Sequence, residues 1–197
     1  AISFVISAIS VSLIQVPEQM TDQEAHANLR REIAEGLSAL LRDVILRTTT
    51  ACKISQDFFI GVYGALVVLY LARDLGFAPG VLGTIWALGG ISSLIGAVAT
   101  GPTIRRIGVG PAMIAGCFLS GLAMFFVPLA QGATLIAALL LILQQLLGDG
   151  AATIYQINQV TLRQVVTPER LLSRVNASAE FLGLGAMLAG SLLGGLL

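Results

Sequence analysis

The sequence predicts an all-α membrane protein: a transmembrane helix bundle with about five spans plus a partial one. Three observations carry this expectation. Only 11% of the 197 residues are charged, against about a quarter in a soluble domain. The mean hydropathy is +0.89. The apolar runs are long enough for a bilayer core, which takes about 20 helical residues to cross. The 22 glycines fit as well, because glycine is more frequent in membrane helices than in soluble ones.

Residues 1–14 read as the end of a transmembrane helix. The chain starts at Ala1 inside an apolar run and stops at Leu197 inside another. The start has neither the basic stretch nor the cleavage pattern of a signal peptide. The expectation is therefore a fragment of a longer membrane protein. Residues 15–48 read as a cytoplasmic linker containing an amphipathic helix. Thr21-Asp22-Gln23-Glu24 fits a capping box. Leu29, Ile33, Leu37, Leu40, Leu41, Val44 and Ile45 then recur at helical spacing. Such a stripe suits packing on other helix ends or on the membrane surface; a calmodulin-like target is the alternative.

Residues 49–197 read as the bundle itself. Complete spans are expected over 49–72, 80–104, 111–129 and 134–158, and a fifth over 176–197. The connections 73–79 and 130–133 are short, whereas 159–175 is longer and polar. In that segment Thr167 suits an N-cap and Pro168 the first helical position. Arg170 and Arg174 then share a face, within reach of lipid phosphates or neighbouring helix ends. Ala186, Gly190 and Gly194 form small-xxx-small steps, as do Gly185 and Ala189.

Basic residues orient the bundle. If 15–48 is cytoplasmic, that side holds Arg30, Arg31, Arg42, Arg47, Arg105, Arg106, Arg163, Arg170 and Arg174, and the other side only Arg73. The expected location is the inner (plasma) membrane, multi-pass, with the lipid bilayer as partner.

Several function classes lose support. The net charge is zero, so no nucleic acid partner is expected. Cys52 and Cys117 have no CxxC spacing, and the single His26 lies in the most polar stretch, so no metal or disulfide framework emerges. No GxxxxGK[ST] loop is present, which removes ATP-driven transport by this chain. No constellation of catalytic groups suggests an enzyme, no filter loop suggests a channel, and no cofactor is expected.

The chemistry lies in polar residues inside the spans, where ionisable groups are costly and usually face protein or water. Lys53, Asp57 and Asp149 qualify. At 100° per residue, Lys53, Gln56, Asp57, Ile60 and Gly64 share one face of their span. Gln145, Asp149, Ala152, Gln156 and Gln159 share one face of another. Two stripes on two helices argue for a shared hydrated cavity. Lys53 is expected to pair with Asp149 across it or with Asp57 along its own helix; snorkelling to the interface is the alternative. Asp149 also fits a Gly-Asp-Gly bend, because Gly148 and Gly150 would ease a kink.

Several stretches resemble the major facilitator superfamily of secondary transporters. In "GPTIRRIGVG" (101–110), Gly101, Arg106 and Gly108 match that family's cytoplasmic loop motif. Arg105 stands at its acidic position, and Val109 and Gly110 at its last basic ones. "LRREIAEGLSALLRDVILR" (29–47) resembles the end of the central loop. "LRQVVTPERLLSRVNAS" (162–178) resembles the stretch between the tenth and eleventh helices of drug and siderophore exporters, including macrolide-efflux and enterobactin-exporter-like proteins. The resemblance implies the C-terminal half of a twelve-helix transporter, truncated before its last helix, with the N-terminal half of the same protein as partner. It places the two striped helices at the seventh and tenth, which line the family's central cavity. It implies a secondary transporter that exports a small-molecule substrate by alternating access, coupled to protons. A non-transporting scaffold or sensor with the same fold is the rival reading.

Overall fold

The computed structural model describes residues 5, 7, 10–13 and 29–197. The proposed capping box at Thr21, His26 and most of 1–14 lie outside the described residues. The chain divides into two compact units, Ala1–Glu32 and Ile33–Leu197. In the first, residues 5, 7, 10–12 and 29–32 are helical. The second holds the bundle and every contact discussed below.

The described residues form helices and no strand. In chain order these are α1 (Leu29–Arg42), α2 (Val44–Leu69), α3 (Pro79–Ile107), α4 (Val109–Ala123), α5 (Phe126–Leu129), α6 (Leu135–Val166) and α7 (Glu169–Leu196). A single π-helical turn, Tyr70–Asp74, prolongs α2. Five helical segments are long and apolar enough to cross a membrane, with α4 and α5 together making one of them. The protein is a multi-pass membrane protein of the expected all-α class.

Where the helices start and stop follows from single residues. Asp43 has extended backbone, and its carboxylate accepts from the Leu46 N–H at 2.9 Å. This N-cap starts α2 five residues earlier than hydropathy suggested. Val44 and Ile45 therefore belong to α2, so the expected linker stripe is cut short. Within α1, Leu40 is buried whereas Ile33, Leu37 and Leu41 are exposed. The one close crossing comes at Gly36, where a methyl group would overlap Ser178 and the Arg174 carbonyl of α7. Glu35 pairs with Arg174 beside that crossing, so Arg174 reaches a neighbouring helix.

Pro128 interrupts the third span: its ring disfavours a continuous helix at the residue four positions earlier, and α4 indeed ends just before Met124. Gly108, with φ of +84°, is the whole connection between α3 and α4. Only glycine adopts that angle without strain, which accounts for the glycine in "RRIGVG". Arg105 and Arg106 are exposed in the last turn of α3.

The expected polar loop 159–175 is instead mostly helix. α6 continues to Val166 because its last turns are buried against other helices. Gln159 donates to the Thr49 carbonyl of α2 at 3.0 Å, and Arg163 is only 3% exposed. Thr167 therefore closes α6 instead of capping α7, and Pro168 occupies the N-cap position expected for Thr167.

Three helix pairings make the bundle: α2 packs along α7, while α3 and α4 both pack on α6. Glycines permit the close approach. Methyl groups at Gly61, Gly190 and Gly194 would overlap backbone atoms across the α2–α7 seam. On α6, Gly150 lies against Ser92, and Gly96 of α3 lies against the Gly150 carbonyl. The Ser92 hydroxyl donates to the Leu146 carbonyl (2.6 Å) and accepts from the Gly150 N–H (3.1 Å). The Gly-Asp-Gly stretch thus serves helix contact within an unbroken α6. The expected Gly185–Ala189 step has no such role, for nothing lies within 4 Å of a methyl at Gly185. At the far end of α2, Val67, Leu71, Leu75, Leu82, Ile85 and Leu141 form an apolar core. The Tyr70 hydroxyl donates to the Ala130 carbonyl at 2.7 Å beside it.

Candidate functional site

Direct α2–α6 contacts are sparse beside those each helix makes with α7, α3 or α4. A cavity of about 490 Å³ lies between α2, α4, α5 and α6. From α2 come Gln56, Phe59 and Tyr63; from α6 come Gln144, Asp149 and Gln156. Cys117 of α4, Met124 just beyond it and Val127 of α5 complete an apolar side. The volume suits a drug-sized molecule, whose pockets span about 300–1,000 Å³. A hollow of about 600 Å³ along α3, bounded by Leu94, Val98 and Arg106, offers no comparable set of convergent polar groups.

Asp149 is the only charged residue on the wall of the α2–α6 cavity among the described residues. Its Oδ2 accepts from the Gln145 side chain at 3.3 Å. Both groups lie against Gly89 of α3, where a methyl would collide with them. Gln145 therefore supports Asp149 from the α3 side and does not line the cavity. Gln156 lines it as expected, and so does Gln56, whose amide donates to Cys117 Sγ at 3.3 Å. Tyr155 lines it too, though it is 5% exposed, and its buried hydroxyl has no hydrogen-bond partner among the described residues.

Lys53 and Asp57 face another way. They pair at 2.8 Å along α2, the second of the two partners expected for Lys53. No Lys53–Asp149 pair forms among the described residues. The pair packs on α7 at Gly183, where a methyl would overlap Asp57. Lys53 also reaches Glu180 of α7 at 3.3 Å, and Glu180 reaches the buried Arg163 of α6 at 3.7 Å. Arg163 donates to Asn176 Oδ1 at 3.3 Å. The outcome is a charge-balanced network across α2, α6 and α7, separate from the cavity wall.

The expected α2 stripe therefore splits. Its positions span about 100° of helix circumference, enough for two neighbours. Gln56 and Ile60 turn to the cavity, whereas Lys53 and Asp57 turn to α7. Sequence reasoning also missed Glu180 and Arg163. Their signal was present: Arg163 is four residues past Gln159 on the α6 stripe, and Glu180 is four past Asn176. Arg163 falls in the stretch 159–175 expected as a polar connection, and Glu180 lies near the start of the expected span 176–197.

The whole chain, residues 1–197, matches the MFS_1 like family. The chain belongs to that family, within the major facilitator superfamily. No curated protein and no solved structure gives a significant match. Membership makes this facilitator-superfamily chain a membrane transporter, and the stretch Gly101, Arg105, Arg106 and Gly108 falls at the end of α3 and in the turn after it. The five spans and the cavity between α2 and α6 accord with that membership.

Proposed function

We propose that this chain forms part of a secondary transporter that exports a small molecule, such as a drug or siderophore, by alternating access coupled to protons. The observation that carries the reading is the cavity between α2, α4 and α6 with Asp149 as its sole charged wall residue among the described residues. Secondary transporters bind solute near the middle of the membrane and move one bundle against another around it. The sparse α2–α6 contact leaves room for such a site.

Coupling needs a group that exchanges a proton during the cycle. Asp57 is a poor choice, because its carboxylate is already engaged by the Lys53 ammonium 2.8 Å away. Asp149 has no such partner among the described residues, and it faces the cavity. Gln56, Gln144 and Gln156 supply neutral hydrogen-bonding groups beside it.

The test is efflux from cells carrying the complete gene that contains this chain. Asp149→Asn is expected to lower gradient-driven efflux at least tenfold at unchanged membrane abundance. A protonophore is expected to produce the same loss in the parent. Efflux that survives both treatments would remove the coupling assignment.

A further inference from the structure

We infer that the α2–α6 cavity takes an organic cation: a monovalent amphipathic amine or onium compound of drug size. The inference rests on the transporter reading of the same cavity and narrows its substrate class.

Charge is the first argument. The wall carries one carboxylate, Asp149, and no lysine or arginine among the described residues. The two cations on the neighbouring faces are committed elsewhere, Lys53 to Asp57 and Glu180, and Arg163 to Glu180 and Asn176. An anion entering the cavity would meet a carboxylate and lose its water without compensation. A cation would meet an opposite charge in a low-dielectric wall, where that attraction is stronger than in water.

The rest of the wall suits an amphipathic cation. Phe59 and Tyr63 supply aromatic rings, whose faces attract cations. Met124 and Val127 supply apolar area.

The test uses Cys117, which lines the cavity, as a reporter that does not depend on transport. In the complete protein with Cys52→Ser and any cysteines outside this chain also replaced by serine, Cys117 is modified with a small maleimide. Two probes of matched size and opposite charge are compared, tetraphenylphosphonium and tetraphenylborate. Tetraphenylphosphonium is expected to slow the modification at least fivefold, and tetraphenylborate less than twofold. Asp149→Asn is expected to abolish the protection, and Asp149→Glu to retain most of it. Equal protection by both ions, or none by the cation, overturns the inference whatever the variants do. Failure of Cys117 to react at all overturns it too, since the cavity would then be closed to ligands. Gradient-driven efflux of some other solute without tetraphenylphosphonium protection would overturn the substrate class and leave the transporter reading intact.

Discussion

Two polar regions share helices α2 and α6 yet are built on opposite principles. The network of Asp57, Lys53, Glu180 and Arg163 contains two acids and two bases, and each charge has an opposite partner within 4 Å. The cavity a fraction of a helix turn away is lined, among the described residues, by one acid and three amides. Buried charge is tolerated where it is compensated, and leaving one partner alone is strongly destabilising. The network therefore reads as structure that ties α2, α6 and α7 together. The cavity leaves hydrogen-bonding capacity unspent, which suits a surface that exchanges ligands.

The largest expected effect comes from unbalancing the network. Glu180→Ala strands Arg163, which is 3% exposed, with only Asn176 beside it. Glu180 itself is 57% exposed, so solvent screens the pair and the expected loss is about 2–3 kcal/mol, read as thermal unfolding in detergent. Adding Arg163→Met should recover most of it, because replacing a buried ion pair by apolar groups is often neutral. Asp149→Asn should leave stability nearly unchanged while it removes transport. If Glu180→Ala were silent and Asp149→Asn unfolded the protein, the two regions would have the reverse of the roles assigned to them.

A smaller effect separates two neighbouring glycines. Gly183→Ala drives a methyl into the Asp57 carboxylate at the Lys53 pair, and overpacking of this kind costs about 1–3 kcal/mol. Gly185→Ala meets nothing within 4 Å, so the better helix propensity of alanine should make it neutral or stabilising by up to about 1 kcal/mol. Equal melting temperatures for the two variants would contradict the close seating of the network on α7.

The same contrast explains what was legible in the sequence. Span number and approximate limits followed from hydropathy alone, because each run is long and nearly free of charge. Helix ends were less legible where a single group decides them: Asp43 moved the start of α2, and Pro128 split the third span. The polar stripes on α2 and α6 were visible from periodicity. Which neighbour each side of a stripe faces was not, since that depends on how α7 sits against α2, and glycines such as Gly61 and Gly190 set that approach. Hence Asp149 was found with its cavity but Lys53 and Asp57 were assigned to the same one. Arg163 and Glu180 stayed hidden because a charge near the end of an apolar run resembles a loop residue until a neighbouring helix covers it.

The finest test concerns one oxygen atom. Tyr155→Phe removes a buried hydroxyl that has no hydrogen-bond partner among the described residues. Leaving a buried donor unsatisfied carries a desolvation penalty, so its removal should hold stability constant or raise it by up to about 1 kcal/mol. Protection of Cys117 by tetraphenylphosphonium should be unchanged, because that cation offers the hydroxyl no acceptor. Efflux should also be unchanged, because a fully buried oxygen is closed to the bound molecule. The three results together discriminate. A destabilised Tyr155→Phe protein would mean that the hydroxyl is held by the fold. A stable protein with weakened efflux would mean instead that the missing partner arrives with the substrate.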